Sequence, residues 1–288
     1  MTIQEFVQVG RLKIKEAAIQ CADPLLHMKQ ICGAVLGLDA AQLILQWERS
    51  LSESELADLE KFLSRRLTGE PFQYILGHEW FWEDQFAVGP GVFIPRKETE
   101  LIVEHLLKFE SRNDILVGEL GAGSGMIGLS VLREREGWSW EAYEANPDSI
   151  PYLTQNWKNV LGGQPRYQII QGDFFDLAKG PFDWLVSNPP YVPKGEISTL
   201  AKEIHHEPSL ALDGGEVGMD VIDRLVAESH RWLRPGGKII LEIGAEQGDL
   251  TSRVLDLGGF VEIEVHQDYA GLPRMVTAKR SDNASTND

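Results

Sequence analysis

The stretch Asp183–Tyr191 combines residue types that could hold a planar amine. An apolar run ends abruptly at Asn188, two prolines follow it, and Tyr191 comes next. Proline fixes the backbone and has no N–H, so the Asn188 side-chain carbonyl and the Pro189 peptide carbonyl stand as neighbouring acceptors. With Pro190 and the aromatic ring, they suit an NH2 group lying flat against Tyr191. We predict a site for an amide or an exocyclic amine at the end of a buried parallel strand, and an ordinary turn is the alternative interpretation.

A second candidate site is the glycine-rich stretch Gly121-Ala122-Gly123-Ser124-Gly125, between a predicted strand and a predicted helix. Glycines allow the backbone to turn sharply and to approach a ligand that a Cβ would exclude. The overlapping run from Gly123 to Gly128 matches the G-x-G-x-x-G pattern of dinucleotide sites. Glu119, however, stands just before the glycines, where an acid could attract a cationic sulfonium cofactor and would be poorly placed for a pyrophosphate. This favours S-adenosyl-L-methionine.

Acidic and aromatic residues at the next two strand ends complete the predicted cofactor site. Glu144 follows the glycines by about 20 residues, the spacing at which a carboxylate binds ribose hydroxyls. Asp173 could accept from an adenine amine, and Phe174 could stack on the base. Each alone is also explained by a helix cap, a solvated loop end or a core ring. Three successive strand ends with this chemistry are harder to explain by packing.

Composition limits the class of protein. The chain has 288 residues, long enough for two domains, and a formal net charge of −17, which argues against direct binding of nucleic acid. We find no signal peptide and no apolar run of the ~20 residues that a membrane helix needs. Cys21 and Cys32 are too few for a disulfide framework. We therefore expect a cytoplasmic protein, and a monomer.

The periodicity of apolar residues predicts an α/β protein with an extra helical domain. Residues 1–72 read as a helical bundle for substrate docking, 73–95 as a linker with a β-hairpin, 96–280 as the catalytic domain and 281–288 as a disordered tail. Strand and helix patterns alternate in 96–280, which is typical of a parallel sheet covered on both faces. The predicted strands are Ile115–Leu120, Trp140–Glu144, Tyr167–Gln171, Trp184–Ser187, Lys238–Ile243, Phe260–His266 and Met275–Lys279.

These motifs together resemble the protein-(glutamine-N5) methyltransferases that modify peptide chain release factors. The resemblance covers nearly all of residues 1–280. It implies a Rossmann-like seven-stranded class I methyltransferase domain preceded by a helical bundle and a hairpin linker. The stretches that carry it are Phe72–Gly77, Ile94–Glu100, Glu119–Gly125, Asn188–Tyr191, Glu207-Pro208, Ala211-Leu212 with Gly214-Gly215, and Gly271–Arg274.

The resemblance also implies roles for the site residues. The target glutamine would donate its NH2 to Asn188 and to the Pro189 carbonyl, while Tyr191 packs the amide and S-adenosyl-L-methionine supplies the methyl group. Asn188 would contact the cofactor as well, and no metal would take part. Three positions depart from the family pattern: Lys97 replaces a proline, and Glu119 and Glu144 stand where aspartates are commoner.

Several other functions fit parts of the pattern. Adenine-N6 methyltransferases of nucleic acids share Asn-Pro-Pro-Tyr, but the acidic composition disfavours them. Methylation of a ribosomal-protein glutamine is poorly separated from the leading hypothesis. A non-catalytic protein that keeps only the cofactor-binding fold would not need both an intact Asn188–Tyr191 motif and an intact glycine loop. A nicotinamide oxidoreductase would leave Asn188–Tyr191 without a role.

Overall fold

The computed structural model describes residues 1–17, 19, 21 and 23–282, and these form two compact units. The first unit comprises Met1–His78 together with Leu200–His206. The second runs over Glu79–Thr199 and continues from Glu207. The sequence prediction ended the helical region at residue 72 and contained no indication that 200–206 belongs with it. Of the predicted tail, residues 283–288 lie outside the described part of the chain.

The first unit consists of helices whose ends carry local capping residues. Asp39 with Gln42, and Ser52 with Glu55, form capping boxes that satisfy N–H groups of the first helical turn. Gly37 ends the second helix with a φ of 64°, a conformation that favours glycine. The helices are α1 (Ile3–Glu16), α2 (Pro24–Leu36), α3 (Ala40–Leu45), α4 (Glu53–Leu67) and α5 (Phe72–Leu76).

The predicted hairpin is confirmed, but its surroundings differ from the expectation. β1 (His78–Phe81) and β2 (Asp84–Ala87) form a two-stranded sheet. The aromatic run before them, predicted to lie in the linker, forms helix α5, which ends at Gly77 with a φ of 82°. Short apolar runs carry no clear period, so burial of their side chains decides between helix and strand.

The second unit contains a seven-stranded sheet with helices, which confirms the predicted fold class. The strand order is β5-β4-β3-β6-β7-β9-β8. Strands β5 to β7 are parallel to one another, and β9 runs antiparallel to β7 and β8. The strands are β3 (Ile115–Leu120), β4 (Trp138–Glu144), β5 (Tyr167–Gln171), β6 (Phe182–Ser187), β7 (Leu233–Glu242), β8 (Phe260–Gln267) and β9 (Pro273–Arg280). The helices are α6 (Glu100–Phe109), α7 (Met126–Glu134), α8 (Ile150–Leu161), α9 (Phe174–Leu177), α10 (Asp220–Glu228) and α11 (Gly248–Leu257).

The start of β7 differs most from the prediction. The predicted strand began at Lys238, after the turn-forming residues Arg234-Pro235-Gly236-Gly237. Instead α10 ends at Glu228, and the four residues lie inside β7. Pairing of Leu233 with Phe182 on β6, across a register irregularity, starts the strand early. The pairing with β6 passes from Leu233 directly to Lys238, and Gly236 has a φ of 70°. The turn preference of Pro and Gly is therefore expressed as a bulge within the strand.

Strand register brings the predicted site residues to one edge of the sheet. A single row of paired residues crosses the five parallel strands: Ile170, Tyr143, Leu120, Ser187 and Leu241. The next residue on each strand is therefore at the same level: Gln171, Glu144, Gly121, Asn188 and Glu242. From β3 the chain continues to β4 on one side, and it later returns to β6 on the other side of β3. The topological switch point therefore lies between β3 and β6, and open α/β sheets bind their ligands at such a point.

Tight contact between α7 and the sheet depends on Gly128. A Cβ at this position would lie 2.5 Å from Nε1 of Trp140, which is fully buried on β4. We expect Gly128→Ala to lower the free energy of unfolding by about 1–3 kcal/mol, as overpacking does. Urea denaturation measures this. Gly195→Ala is the matched control, since nothing lies within 4 Å of its Cβ; equal stability of both variants would contradict the close approach.

Candidate active site

A cavity of about 280 Å³ lies at this edge of the sheet in the second unit. Its size is near the lower end of the roughly 300–1,000 Å³ typical of small-molecule sites. Gly125, Pro189 and Tyr191, although predicted to belong to the site, are not on its wall. The predicted residues that line it are Glu119, Gly121, Ala122, Gly123, Ser124, Glu144, Asp173, Phe174, Asn188 and Pro190.

The glycine loop owes its composition mainly to backbone conformation. Gly121 and Gly123 have φ values of 73° and 57°, and a Cβ on either would meet nothing within 4 Å. The left-handed backbone, rather than lack of space, therefore favours glycine at both positions. At Gly125, with φ of 82°, a Cβ would also come within 2.6 Å of Leu153. The N–H groups of Gly121 and Ala122 donate to the Tyr143 carbonyl, which holds the loop on β4.

Two buried glutamates flank this loop. Glu119 accepts a hydrogen bond from Trp140 Nε1 at 2.7 Å, and burial, with a smaller contribution from the charge of Glu144, raises the pKa of Glu119 to about 8. Glu144 accepts from the N–H groups of Gly123 and Asn146, both at 2.7 Å. Burial raises the pKa of Glu144 as well. Glu144 thus fastens the loop, and each of its oxygens keeps a lone pair for a ligand hydroxyl.

Asp173 and Phe174 reach the cavity but also have structural roles. Asp173 accepts from the N–H of Phe175 at 2.9 Å and so caps α9, and its other oxygen lies 3.9 Å from Arg224. The Phe174 ring is buried and packs edge-on against Tyr143 and Trp232. Their contacts with adenine stay predictions.

The Asn188–Tyr191 motif is anchored by residues distant in sequence. Asn188 Nδ2 donates to Thr99 Oγ1 at 3.2 Å, and the Tyr191 hydroxyl donates to Glu242 Oε1 at 3.2 Å. Gln247 Nε2 donates to the Tyr191 carbonyl at 3.0 Å. Within the described residues, no group donates to Asn188 Oδ1 or to the Pro189 carbonyl. These are the two acceptors that the sequence predicted to be available.

Thr99 and Glu242 were missed as site residues. Thr99 has no exposed surface and Glu242 only 1%. Thr99 stood inside the stretch Ile94–Glu100, whose pattern was noted without a role for this side chain. Glu242 is the penultimate residue of the predicted strand Lys238–Ile243, as Glu119 is of the predicted strand Ile115–Leu120. Examining the acids near every strand end would have found it.

A buried ion pair holds one wall of the cavity. The Glu207 side chain is 2% exposed, pairs with Arg96 and accepts from the Ile94 N–H at 3.0 Å. The residues after it, Pro208, Leu210 and Ala211, line the cavity. The stretches Ile94–Glu100 and Glu207-Pro208 are therefore joined directly.

Breaking this pair should destabilise the second unit. We expect Glu207→Ala to reduce the free energy of unfolding by about 1–3 kcal/mol, less than for a fully buried pair because Arg96 is partly exposed. Chemical denaturation measures the loss. Glu216→Ala, at an exposed position in the same region, should be neutral; a similar loss in both would show that the ion pair is not the cause.

The described part of the chain offers few other functional features. It contains no group of three His, Cys, Asp or Glu side chains that could hold a metal ion. None of its helices has both the length and the apolar character needed to cross a bilayer.

Comparison with known proteins identifies the family. Residues 7–77 match the PrmC N-terminal domain, and residues 85–216 match the methyltransferase small domain. A release factor glutamine methyltransferase of Rhodospirillum rubrum is 34% identical over 272 residues, which cover 94% of this chain and 83% of that protein. The chain belongs to the release factor glutamine methyltransferase family. The enzyme of the same name from Caulobacter vibrioides is 33% identical over 279 residues, covering 96% of each chain.

Solved structures agree on the fold. A methyltransferase of Pyrococcus furiosus superimposes with a TM-score of 0.52 at 17% identity, covering 68% of this chain and 88% of that one. Membership of the release factor glutamine methyltransferase family makes this chain a methyltransferase. It also confirms the resemblance that the sequence motifs indicated.

Proposed function

We propose that the enzyme transfers a methyl group from S-adenosyl-L-methionine to the N5 amide nitrogen of the glutamine in the Gly-Gly-Gln motif of release factors. The observation that carries this proposal is the unoccupied carbonyl of Asn188. It belongs to a residue on the wall of the same cavity as the glycine loop, and it is anchored through its NH2 group. An amide donor is the complementary guest for such an acceptor.

The cavity residues fit the cofactor. Glu119 supplies a buried carboxylate for a cationic group, and Glu144 keeps lone pairs for ribose hydroxyls beside the glycine loop. Asp173 would accept from the adenine amine of the cofactor, and Phe174 would stack on the adenine. The bound cofactor supplies an electrophilic methyl group on a sulfonium.

The chain's own residues act by positioning and electrostatics. An amide nitrogen is a weak nucleophile, since its lone pair is delocalised into the carbonyl. Asn188 Oδ1 and the Pro189 carbonyl accept its two N–H groups, orient the nitrogen and stabilise the positive charge that develops on it. No strong base is needed, because the methylated amide nitrogen bearing that charge is acidic and gives up its extra proton to water. Pro190 and Tyr191 pack the substrate.

The cellular setting follows from the proposed substrate. Release factors act in translation termination, so the cytoplasm is the expected compartment. The helical first unit, which contributes no residue to the cavity wall, is the proposed docking element. We propose no direct contact with nucleic acid, in keeping with the net charge of −17, and a monomeric enzyme.

One experiment tests the proposal. The protein is incubated with S-adenosyl-L-methionine and each purified release factor, and the Gly-Gly-Gln peptide is examined by mass spectrometry. The expected result is one added methyl group on the glutamine, and none on a release factor with Gln replaced by Ala. Duplex DNA and ribosomal proteins are assayed in parallel as alternative substrates. Methylation of adenine or of a ribosomal-protein glutamine, with none on release factors, would reverse the proposal.

A further inference from the structure

The Pro189 carbonyl cannot be oriented by hydrogen bonds of its own segment. Pro189 and Pro190 have no backbone N–H, and within the described residues no group donates to the Pro189 carbonyl. Proline fixes φ, and it also restricts the residue before it to extended backbone. Asn188-Pro189-Pro190 is therefore a stiff segment, and its direction is set by what holds its two ends.

Both ends of this segment are anchored. The segment begins after β6, whose last residue, Ser187, donates from its hydroxyl to the Leu120 carbonyl at 2.8 Å. The segment ends at Tyr191, whose carbonyl accepts from Gln247 Nε2 at 3.0 Å. Gln247 immediately precedes α11 and is far from the motif in sequence.

The Gln247 side chain bonds three backbone groups at once. Its NH2 group donates to the carbonyls of Tyr191 and Gly218, both at 3.0 Å, and its Oε1 accepts from the Gly244 N–H at 2.8 Å. Two acceptors and one donor around the amide allow only this assignment of its nitrogen and oxygen. Gln247 is 8% exposed and does not line the cavity. It can therefore influence a substrate only through the residues that it holds.

Two glycines let a second stretch of backbone lie directly against the motif. A Cβ at Gly218, whose φ is 75°, would overlap the Tyr191 carbonyl oxygen and would lie 2.6 Å from Gln247 Nε2. A Cβ at Gly214 would lie 2.7 Å from the Pro190 carbonyl oxygen. Gln247, Gly214 and Gly218 will be called the clamp.

We infer that the clamp aims the Pro189 carbonyl at the substrate NH2, and that Gln247 is its positioning residue. The clamp holds the backbone of Tyr191, and the stiff proline pair passes that constraint to the Pro189 carbonyl. The inference rests on the proposed function, which assigns this carbonyl to the target amide. Positive charge on the nitrogen develops only in the transition state, so a misdirected acceptor should reduce kcat more than affinity.

Removing the donor while keeping the size of the side chain tests the clamp in the intact enzyme. Gln247→Met should lower kcat for a release factor by about 10- to 100-fold, as a small misplacement of reacting groups does. The KM for the release factor and the affinity for S-adenosyl-L-methionine should change little. Thr251→Val is the control, since it replaces a buried threonine of α11 whose hydroxyl lies 3.9 Å from the Met219 sulfur. Its kcat should match wild type.

Gly218→Ala disturbs the clamp from the other side. It should lower kcat to a similar extent as Gln247→Met. The double variant should lose less than the product of the two single losses, because both changes displace the same carbonyl. Gly259→Ala is the matched control for backbone strain, since Gly259 has a φ of 78° and nothing lies within 4 Å of its Cβ; it should keep the wild-type kcat.

Hydrogen exchange locates the change in the structure. The Val192 N–H donates to the Leu212 carbonyl, and the Gly214 N–H donates to the Val192 carbonyl, both at 3.0 Å. These two N–H groups should exchange faster in Gln247→Met than in wild type or in Thr251→Val. Exchange within β3 should be the same in all three proteins.

The outcomes are distinct. If the wild-type enzyme methylates no release factor, the proposed function fails, and the role of the Pro189 carbonyl fails with it. If wild type is active but Gln247→Met and Gly218→Ala retain its kcat, the clamp is wrong. It is equally wrong if these variants lose activity only through melting or a raised KM, or if the losses in the double variant multiply strictly.

Discussion

Asn188→Ala is expected to reduce kcat by about 1,000-fold, because it removes the side-chain acceptor that orients the substrate nitrogen and stabilises its developing charge. The Asn188 side chain is bonded within the described structure to Thr99 at 3.2 Å. Its loss should therefore leave the sheet and the glycine loop intact. Radiolabelled methyl transfer to a purified release factor, under single-turnover conditions, measures the chemical step.

The control for this variant is Asn159→Ala, an exposed position on α8. It should have wild-type activity. Equilibrium dialysis should show that Asn188→Ala retains most of its affinity for S-adenosyl-L-methionine, and its melting temperature should stay within a few degrees of wild type. Retention of full activity in Asn188→Ala would contradict the assigned role of the motif.

Binding of S-adenosyl-L-methionine near pH 7 is expected to release close to one proton from Glu119. Burial raises the pKa of this group from 4.5 to about 8, so the free enzyme holds it mostly protonated at pH 7. A cationic ligand group favours the ionised form and expels the proton. Affinity should therefore rise as the pH increases from 6 to 8. Calorimetry in buffers of different ionisation enthalpy measures the proton count.

Glu119→Gln tests the assignment, since glutamine still accepts from Trp140 Nε1 but carries no charge. Affinity should fall by about 10- to 100-fold, the value of a hydrogen bond to a charged group, and proton release should vanish. Glu134→Gln, at an exposed position near the end of α7, should change neither. Unchanged proton release in Glu119→Gln would exclude Glu119 as its source.

The same pKa sets the sign of a stability effect. Between pH 4.5 and about 8 the folded protein holds a proton on Glu119 that the unfolded chain loses. The free energy of unfolding of the ligand-free enzyme should therefore decrease as the pH rises through this window. Glu119→Gln should weaken that dependence and stabilise the protein at pH 8. Urea denaturation at pH 5 and pH 8 compares the two proteins, and an identical slope would refute the effect.

Local sequence was a good guide to the sheet and to the loops at its edge. The bounds of β3 and β5 match the prediction. β3 is a buried and largely apolar run that ends at turn residues, whereas β5 is a half-exposed edge strand that is also followed by a glycine. Gly121 and Gly123 were recognisable because their left-handed backbone favours glycine. Capping boxes at Asp39 and Ser52 depend on side chains three residues away, so they too are local.

Packing decided one helix against local preference. Phe72–Leu76 forms a helix although its residues resemble those of a strand. Phe174 lies on the cavity wall, where a base-stacking residue is expected, and also packs edge-on against Tyr143 and Trp232. Local propensities are worth a fraction of a kcal/mol per residue, and burial of a large side chain about 1.5–3 kcal/mol.

Local patterns in the chain were enough to identify the chemical groups of this enzyme: a glycine loop, acids at strand ends, and Asn188 followed by two prolines and an aromatic ring. Only the tertiary structure decided how Asn188 is held. Thr99, in a helical turn, bonds Asn188, and Glu242 meets Tyr191 because β6 and β7 are neighbours in the sheet. Residue type and spacing indicate which chemical groups a chain has available for binding and catalysis. Which of those groups share a hydrogen bond depends on strand order, which no local pattern encodes.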